Sequence, residues 1–375
     1  MLLMAATTAS AQNSIDSVLQ VIVGNNLELQ ALAADHQAAQ LEMRGENAVK
    51  GLSVEYSPFY TQGYNGVASS ELVVTQEFDF PTQYVSRSRQ ARLNGTALDA
   101  QYSVRRRKIS IEAECLCYEL IGENQRIDLL SERLSQSEKI ADMLQKRMDA
   151  GDANVLELNK ALLERTQTSQ LLAEEENHRQ ELLLRLQVLN GNQPLTLSDK
   201  QLPEVEDLPA ANYPTLLPEV QSAEDEVAAL RHEERLTRQE WLPTLSVGYR
   251  RNTEEKEHLD GFLVGASFPL WGTSHKTKAA RQRRESAQLR LEQTRTETEA
   301  AQKARYQQMV RLRSVLDHSD VALMRQTLPL LEKALQQGQI NALQYYAEYN
   351  DLYEKLLYHI TVHCQYLQLR AELYR

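Results

Sequence analysis

Between Gly272 and Pro329 the chain has neither glycine nor proline, and the run is composed mainly of Ala, Gln, Arg, Glu and Leu, all strong helix formers. Seventy residues separate Pro81 from Gly151, and sixty-nine separate Pro269 from Gly338. A single helix of that length would reach on the order of 100 Å at about 1.5 Å per residue. No globular core can cover such an element, so its apolar positions must be met by other helices. The 375 residues include only 14 Gly and 10 Pro. Sandwiches, α/β barrels and doubly wound sheets need a turn roughly every 10–20 residues and are excluded.

The apolar positions form seams. Ile127, Leu130, Leu134, Ser137, Ala141, Leu144 and Met148 step by three and four, as do Leu343, Tyr346, Asn350, Tyr353, Leu357, Ile360, Cys364 and Leu367. Heptad spacing predicts left-handed coiled-coil packing. Gly151 and Gly338 fall where antiparallel hairpins reverse, glycine supplying the left-handed conformation that ends a helix. The expected class is mainly α, built from long antiparallel coiled-coil helical hairpins.

The chain also repeats itself. A polar helix over 26–50 precedes Ser53-Val54-Glu55-Tyr56, and a similar one over 219–242 precedes Ser246-Val247-Gly248-Tyr249. Phe80-Pro81 and Phe268-Pro269 close the two strand regions, and the turn glycines follow at matching distances. The expected first repeat is 12–190, with strands 52–61 and 70–80, a long helix 82–148 and a helix 153–190. The second is 219–373, with strands 244–251 and 261–269, a long helix 272–336 and a helix 341–373. A linker over 191–218 carries five prolines and reads as an extended, solvent-facing crossover. Residues 1–11 are apolar, uncharged and end Ala9-Ser10-Ala11, the pattern of a signal-peptide-like segment without its basic start. No apolar run reaches the roughly 18 residues of a membrane helix.

The strands alternate. Val54, Tyr56, Pro58 and Tyr60 oppose Ser53, Glu55, Ser57 and Thr61. Leu72, Val74, Phe78 and Phe80 oppose Glu71, Thr75, Glu77 and Asp79, and Phe262, Val264, Ala266 and Phe268 form an apolar face in the second half. Each strand is about the 9–11 residues that cross a bilayer when tilted. A soluble hairpin on a core shows the same alternation, but the long polar helices offer no layer to receive it. Four strands leave open edges, and the smallest outer-membrane barrels have about eight strands. Copies must therefore pool strands, two giving eight and three giving twelve.

Reactive chemistry is sparse. A net charge of −11 with mixed signs does not suit nucleic-acid binding, and three cysteines cannot form a disulfide framework. His359 and His363, four apart with Cys364 beside them, have a metal-chelating spacing. No local carboxylate completes the set, and Cys364 lies on the apolar seam. Cys115 and Cys117 point to different helix faces. Arg105-Arg106-Arg107-Lys108 reads as a solvated or intersubunit face. No phosphate loop, HExxH, GxSxG or CxxC occurs, so neither an enzyme nor a cofactor is expected.

These features resemble the TolC-type outer-membrane efflux family, in particular its heavy-metal and cation branch, from Asn26 to about Leu369. The resemblance rests on Gly151-Asp152-Ala153-Asn154-Val155-Leu156 and Gly338-Gln339-Ile340-Asn341-Ala342-Leu343 at the hairpin turns, and on Leu242-Pro243-Thr244-Leu245 before the third strand. It rests also on the strand exits Phe268-Pro269-Leu270-Trp271-Gly272 and, more loosely, Phe80-Pro81. It implies a homotrimer whose hairpins form a trimeric α-barrel and whose strands form a 12-stranded β-barrel in the outer membrane of a Gram-negative bacterium, with a large periplasmic part. Gly151, Asp152, Gly338 and Gln339 would then lie at a periplasmic tip contacted by an adaptor protein and an inner-membrane pump. Gate carboxylates of some relatives correspond most nearly to Glu157, with Lys160, and to Glu348, beyond Gln344 and Ala347. The implied function is a passive exit duct for small solutes such as metal ions or drugs. A protein-secretion channel and a periplasmic coiled-coil scaffold are the alternatives.

Overall fold

The computed structural model describes residues 14–63, 65–151, 154–206, 217–254, 257–269 and 273–375. The signal-like segment, Asp152 and Trp271 lie outside them. The first half of the chain runs α1 (Ile15–Asn25), α2 (Leu27–Glu46), β1 (Leu52–Phe59), β2 (Ser69–Phe78), α3 (Pro81–Asp149) and α4 (Val155–Leu189). The second runs α5 (Pro218–Thr237), β3 (Thr244–Glu254), β4 (Glu257–Ser267), α6 (Thr273–Asp317), α7 (Val321–Gln336) and α8 (Ala342–Tyr374). Both halves contain a helix, two strands and long helical segments, but the second has no counterpart of α1 and its long segment is split in two. The chain forms two compact units: Met1–Gln30 with Arg105–Thr215 and Glu299–Arg375, and Ala31–Val104 with Leu216–Thr298.

α3 is one helix of 69 residues, begun by Pro81, whose missing N–H costs nothing at a first helical position. The helix expected over 272–336 is instead two, α6 and α7. Ser319 Oγ donates to the carbonyl of Val315 at 2.9 Å, and the Asp320 carboxylate accepts from the Leu323 amide at 2.9 Å. Side-chain capping therefore ends one helix and starts the next in a stretch without glycine or proline, while Pro329 sits inside α7.

In the first unit α3 and α4 form an antiparallel hairpin whose partners recede from the turn in step. Arg133 meets Glu164 at 3.4 Å, Arg126 meets Glu175 at 3.4 Å, and Glu119 meets His178 at 3.6 Å. Leu130, Ser137, Ala141 and Leu144 of the expected seam are buried, and so is a second stripe of Leu129, Arg133 and Ile140. α8 likewise buries Tyr346, Tyr353, Ile360, Cys364 and Leu367 together with Tyr345, Tyr349 and Leu356. Its rings stack one turn apart, Tyr345 on Tyr349 at 4.9 Å and Tyr349 against Tyr353 at 4.7 Å. Leu343, expected on the seam, is exposed. Two stripes on α3 and on α8 mean that each of these helices has more than one helical neighbour, which a single heptad pattern does not reveal.

The described part of the linker is largely exposed but is pinned to the helices at several points. Leu202 is buried, and backbone carbonyls of Lys200, Pro203, Val205 and Glu206 accept hydrogen bonds from Gln125, His363 and Arg313. The basic run is also paired within the chain: Arg105 grips Glu28 with two hydrogen bonds of 2.5 Å, and Arg107 donates to the Glu372 carbonyl.

A close helix contact lies at Gly122 of α3. A Cβ there would lie 2.2 Å from Cys364 Sγ of α8, so this pair requires hydrogen at position 122. Gly122→Ala is expected to cost about 1–3 kcal/mol through overpacking, read as a lowered thermal midpoint, with partial recovery when Cys364→Ala is added.

Candidate functional site: an exposed apolar sheet face and two helical reversals

In the second unit the strands form one antiparallel sheet in the order β1-β2-β3-β4. The second hairpin is longer than expected, β3 reaching Glu254 and β4 beginning at Glu257. Pairing aligns side chains into rows across all four strands: Leu52, Gln76, Val247 and Val264; then Val54, Val74, Tyr249 and Phe262; then Tyr56, Leu72, Arg251 and Asp260. Below the first of these, Phe78, Leu245 and Ala266 continue the face. Four rows two residues apart span roughly 20 Å along the strands, close to the ~25 Å apolar band of membrane barrels.

This face has no cover. Phe262 is 91% and Val264 86% exposed, and Leu52, Val54 and Tyr56 are exposed as well. Its charged row is self-neutralising, with Arg251 Nε 2.8 Å from Asp260 Oδ1 and the guanidinium 5.8 Å from the Tyr249 ring. The opposite face carries Ser53, Glu55, Glu71, Thr75, Gly248 and Arg250. β1 and β4 each pair on one side only. Of the strand exits, Phe268 is exposed, Phe80 is half-buried, and Pro81 and Pro269 are exposed.

Both helical reversals are built alike. Gly151 has φ +80° and Gly338 φ +71°. The Gly338 amide donates to Leu335 and the Gln339 amide to Ala334, at 3.1 and 2.9 Å, which is the double closure of a Schellman turn. Gly151 donates to Met148 at 2.9 Å. Three residues beyond each glycine an asparagine caps the next helix: Asn154 accepts from the Leu156 amide, and Asn341 exchanges hydrogen bonds with Gln344 in a capping box. Sequence reasoning found the glycines and missed the asparagines, although Gly-x-x-Asn in both turns was a readable stop-and-start signal.

The gate candidates are not brought together. Glu157 is half-buried and Glu348 exposed, and no hydrogen bond or ion pair joins them among the described residues. Lys160 pairs instead with Glu164. Glu164 and Arg133 are both almost fully buried, linked through Asn350, with Arg133 2.8 Å from Asn350 Oδ1 and Asn350 Nδ2 3.0 Å from Glu164. Arg133 also lies over the Tyr353 ring at 5.4 Å. This cluster ties α3, α4 and α8 together on the side chosen by tertiary packing, and the Lys160–Glu164 spacing was its only local trace.

The candidate metal set is split. Cys364 faces Gly122 and the Tyr118 carbonyl, and burial pushes its thiol up to about 11. His363 Nε2 donates to the Pro203 carbonyl at 2.9 Å, and burial holds both His359 and His363 below the usual imidazole range. Among the described residues no three His, Cys, Asp or Glu side chains converge on a metal position.

Glu123 is fully buried between α3 and α4. Burial first, then the hydrogen bond that protonated Glu123 donates to the Glu175 carboxylate, raises its carboxyl well above the usual range, opposed by its ion pair with Arg126. The Glu119–His178 pair and the Cys364 thiol are the other titratable groups around it. A raised acid keeps its proton in the folded state after the unfolded chain has lost it. That contribution is complete at low pH and is lost as pH rises above the unfolded value of 4.5. Glu123→Gln should therefore flatten the decline in thermal midpoint between about pH 5 and 8; an unchanged slope would exclude Glu123 as its source.

No protein-family model matches the sequence, and comparison with curated proteins finds no significant match. Solved structures do match. A membrane protein from Pseudomonas aeruginosa aligns at TM-score 0.81 and 18% identity over 96% of this chain and 89% of its own. The Campylobacter jejuni CmeC outer membrane channel aligns at 0.78 and 14%, over 96% and 84%. The Vibrio cholerae outer membrane protein VceC aligns at 0.78 and 14%, over 96% and 94%. At these identities the likeness is one of fold, and it runs through nearly the whole length of both partners.

Proposed function

We propose that this protein is the outer-membrane exit duct of a tripartite efflux system, a passive channel for small solutes such as metal ions or drugs. The observation that carries the reading is the uncovered apolar face of a sheet whose two outer strands each keep one edge unpaired among the described residues. Water does not tolerate such a face, and neither water nor lipid tolerates such edges. Both are resolved if copies pool their strands into a closed barrel with the apolar rows toward lipid. The fold shared with outer membrane channels supports this, and the family resemblance selects three copies and twelve strands. A periplasmic scaffold would need a partner to cover the sheet face. Secretion of proteins through the same duct would differ only in partner.

On this reading the helical hairpins lie in the periplasm, with Gly151, Asp152, Gly338 and Gln339 at the tip that meets an adaptor and an inner-membrane pump. The duct performs no catalysis and holds no cofactor, the energy source residing in the pump. Glu157 and Glu348 remain the residues to examine for gating.

Two measurements test it. Membrane-extracted protein should fractionate with the outer membrane and run in native mass measurement at about three times the 42.8 kDa chain mass. Soluble monomer would overturn the reading, and a stable dimer would keep strand pooling but refute three copies. Gly151→Val and Gly338→Val place a β-branched residue at positive φ, where strain and not space is limiting, since nothing lies within 4 Å of an added Cβ. Each should leave trimer and insertion nearly intact while reducing adaptor cross-linking and export. Normal export from both variants would remove the tip assignment.

A further inference from the structure

Strand register sorts the charged side chains of the sheet onto two unlike faces. The face with the apolar rows carries Arg251 and Asp260, paired with each other, and His258. The other face carries Glu55, Glu71, Glu77, Glu254 and Glu257 against one cation, Arg250. Both faces belong to the same four strands, so this asymmetry is not a reflection of the acidic composition of the chain. Two of the five carboxylates are answered: Arg250 Nε lies 2.8 Å from Glu71, and Lys50 Nζ lies 3.2 Å from Glu77. The other three, Glu55, Glu254 and Glu257, form no ion pair among the described residues. Glu254 and Glu257 stand at the hairpin ends of β3 and β4, whereas Glu55 sits mid-strand in β1, exposed, in a row with Val73, Arg250 and Gly261.

We infer that this face lines the conduit and gives it a preference for cationic solutes, with Glu55 as its specificity-determining residue. The inference rests on the exit-duct reading, because only closure with the apolar rows outward turns this face inward. Three copies then set three Glu55 carboxylates on one level of a lumen walled by low-dielectric protein and lipid. Such walls focus the field of fixed charge along the bore, and rings of carboxylates favour cation passage. Glycines at 248, 261 and 265 reduce side-chain bulk on the β3 and β4 part of this face. Bulk flow stays unhindered while the sign of the passing charge is weighted.

The test is a planar bilayer holding the purified full-length protein under a potassium chloride gradient. Wild type should show a reversal potential of the cation-selective sign. Glu55→Gln should move it toward zero, Glu55→Lys should move it further in the same direction, and Glu55→Asp should keep it near wild type. Selectivity should also fall as salt rises, because the screening length shrinks from about 30 Å at 0.01 M to about 3 Å at 1 M. Trimer yield and unit conductance, measured beside each variant, show whether the barrel has formed. Conducting channels whose reversal potential is zero or anion-selective, or identical in wild type, Glu55→Gln and Glu55→Lys, overturn the inference and leave the exit-duct reading standing. Trimers that insert without conducting overturn both.

Discussion

Backbone hydrogen bonding in the sheet runs from β1 through β2 and β3 to β4 and stops there. Among the described residues the outward N–H and C=O groups of β1 and β4 have no strand beside them, and such groups become costly wherever water is excluded. An edge strand can be blunted by charge, bulges or proline. Here Pro58 stands within β1, but water leaves the apolar rows exposed and lipid leaves the remaining edge groups unpaired. Association with other copies is the one remedy that answers both. On the proposed reading, a chain that supplies only part of a barrel would also need helices able to find partners on more than one side.

The helices show that arrangement. α3 and α8 each bury two stripes, and their polar interior is used to define register. The Arg133–Glu164–Asn350 cluster joins three helices, and a buried pair of this kind is weak evidence for net stability and better evidence for specificity of alignment. Gly122 against Cys364 sets how near α3 and α8 approach, and the segment around Leu202 is held by side-chain donors aimed at its carbonyls. Structural chemistry accounts for the residues that first looked reactive, with Cys364 packed and His363 holding the strap.

The sheet joins structure to function through its two faces. Apolar side chains at alternate positions make one face and the intervening carboxylates the other. On the proposed reading, membrane insertion and charge selectivity would both follow from that one register. A slip of a single residue would exchange the two faces, which links the placement of Glu55 to the pairing that seats Val54 against Val74.

Sequence alone determined the features that are local. The length of α3, the strand alternation and the left-handed turns at Gly151 and Gly338 depend on residues near one another in the chain, through helix propensity, side-chain period and glycine's access to positive φ. The break at Ser319 and Asp320 was local too, but acid capping without a breaker is a quiet signal. Tertiary structure decided what depends on distant partners. It chose the second stripe on each helix, turned Cys364 away from the histidines, drew the prolines' neighbours at 200–206 onto the helices, and assembled Arg133 with Glu164 and Asn350. Those outcomes required knowing which helices are neighbours, and helix periodicity states which face is apolar without stating what will cover it.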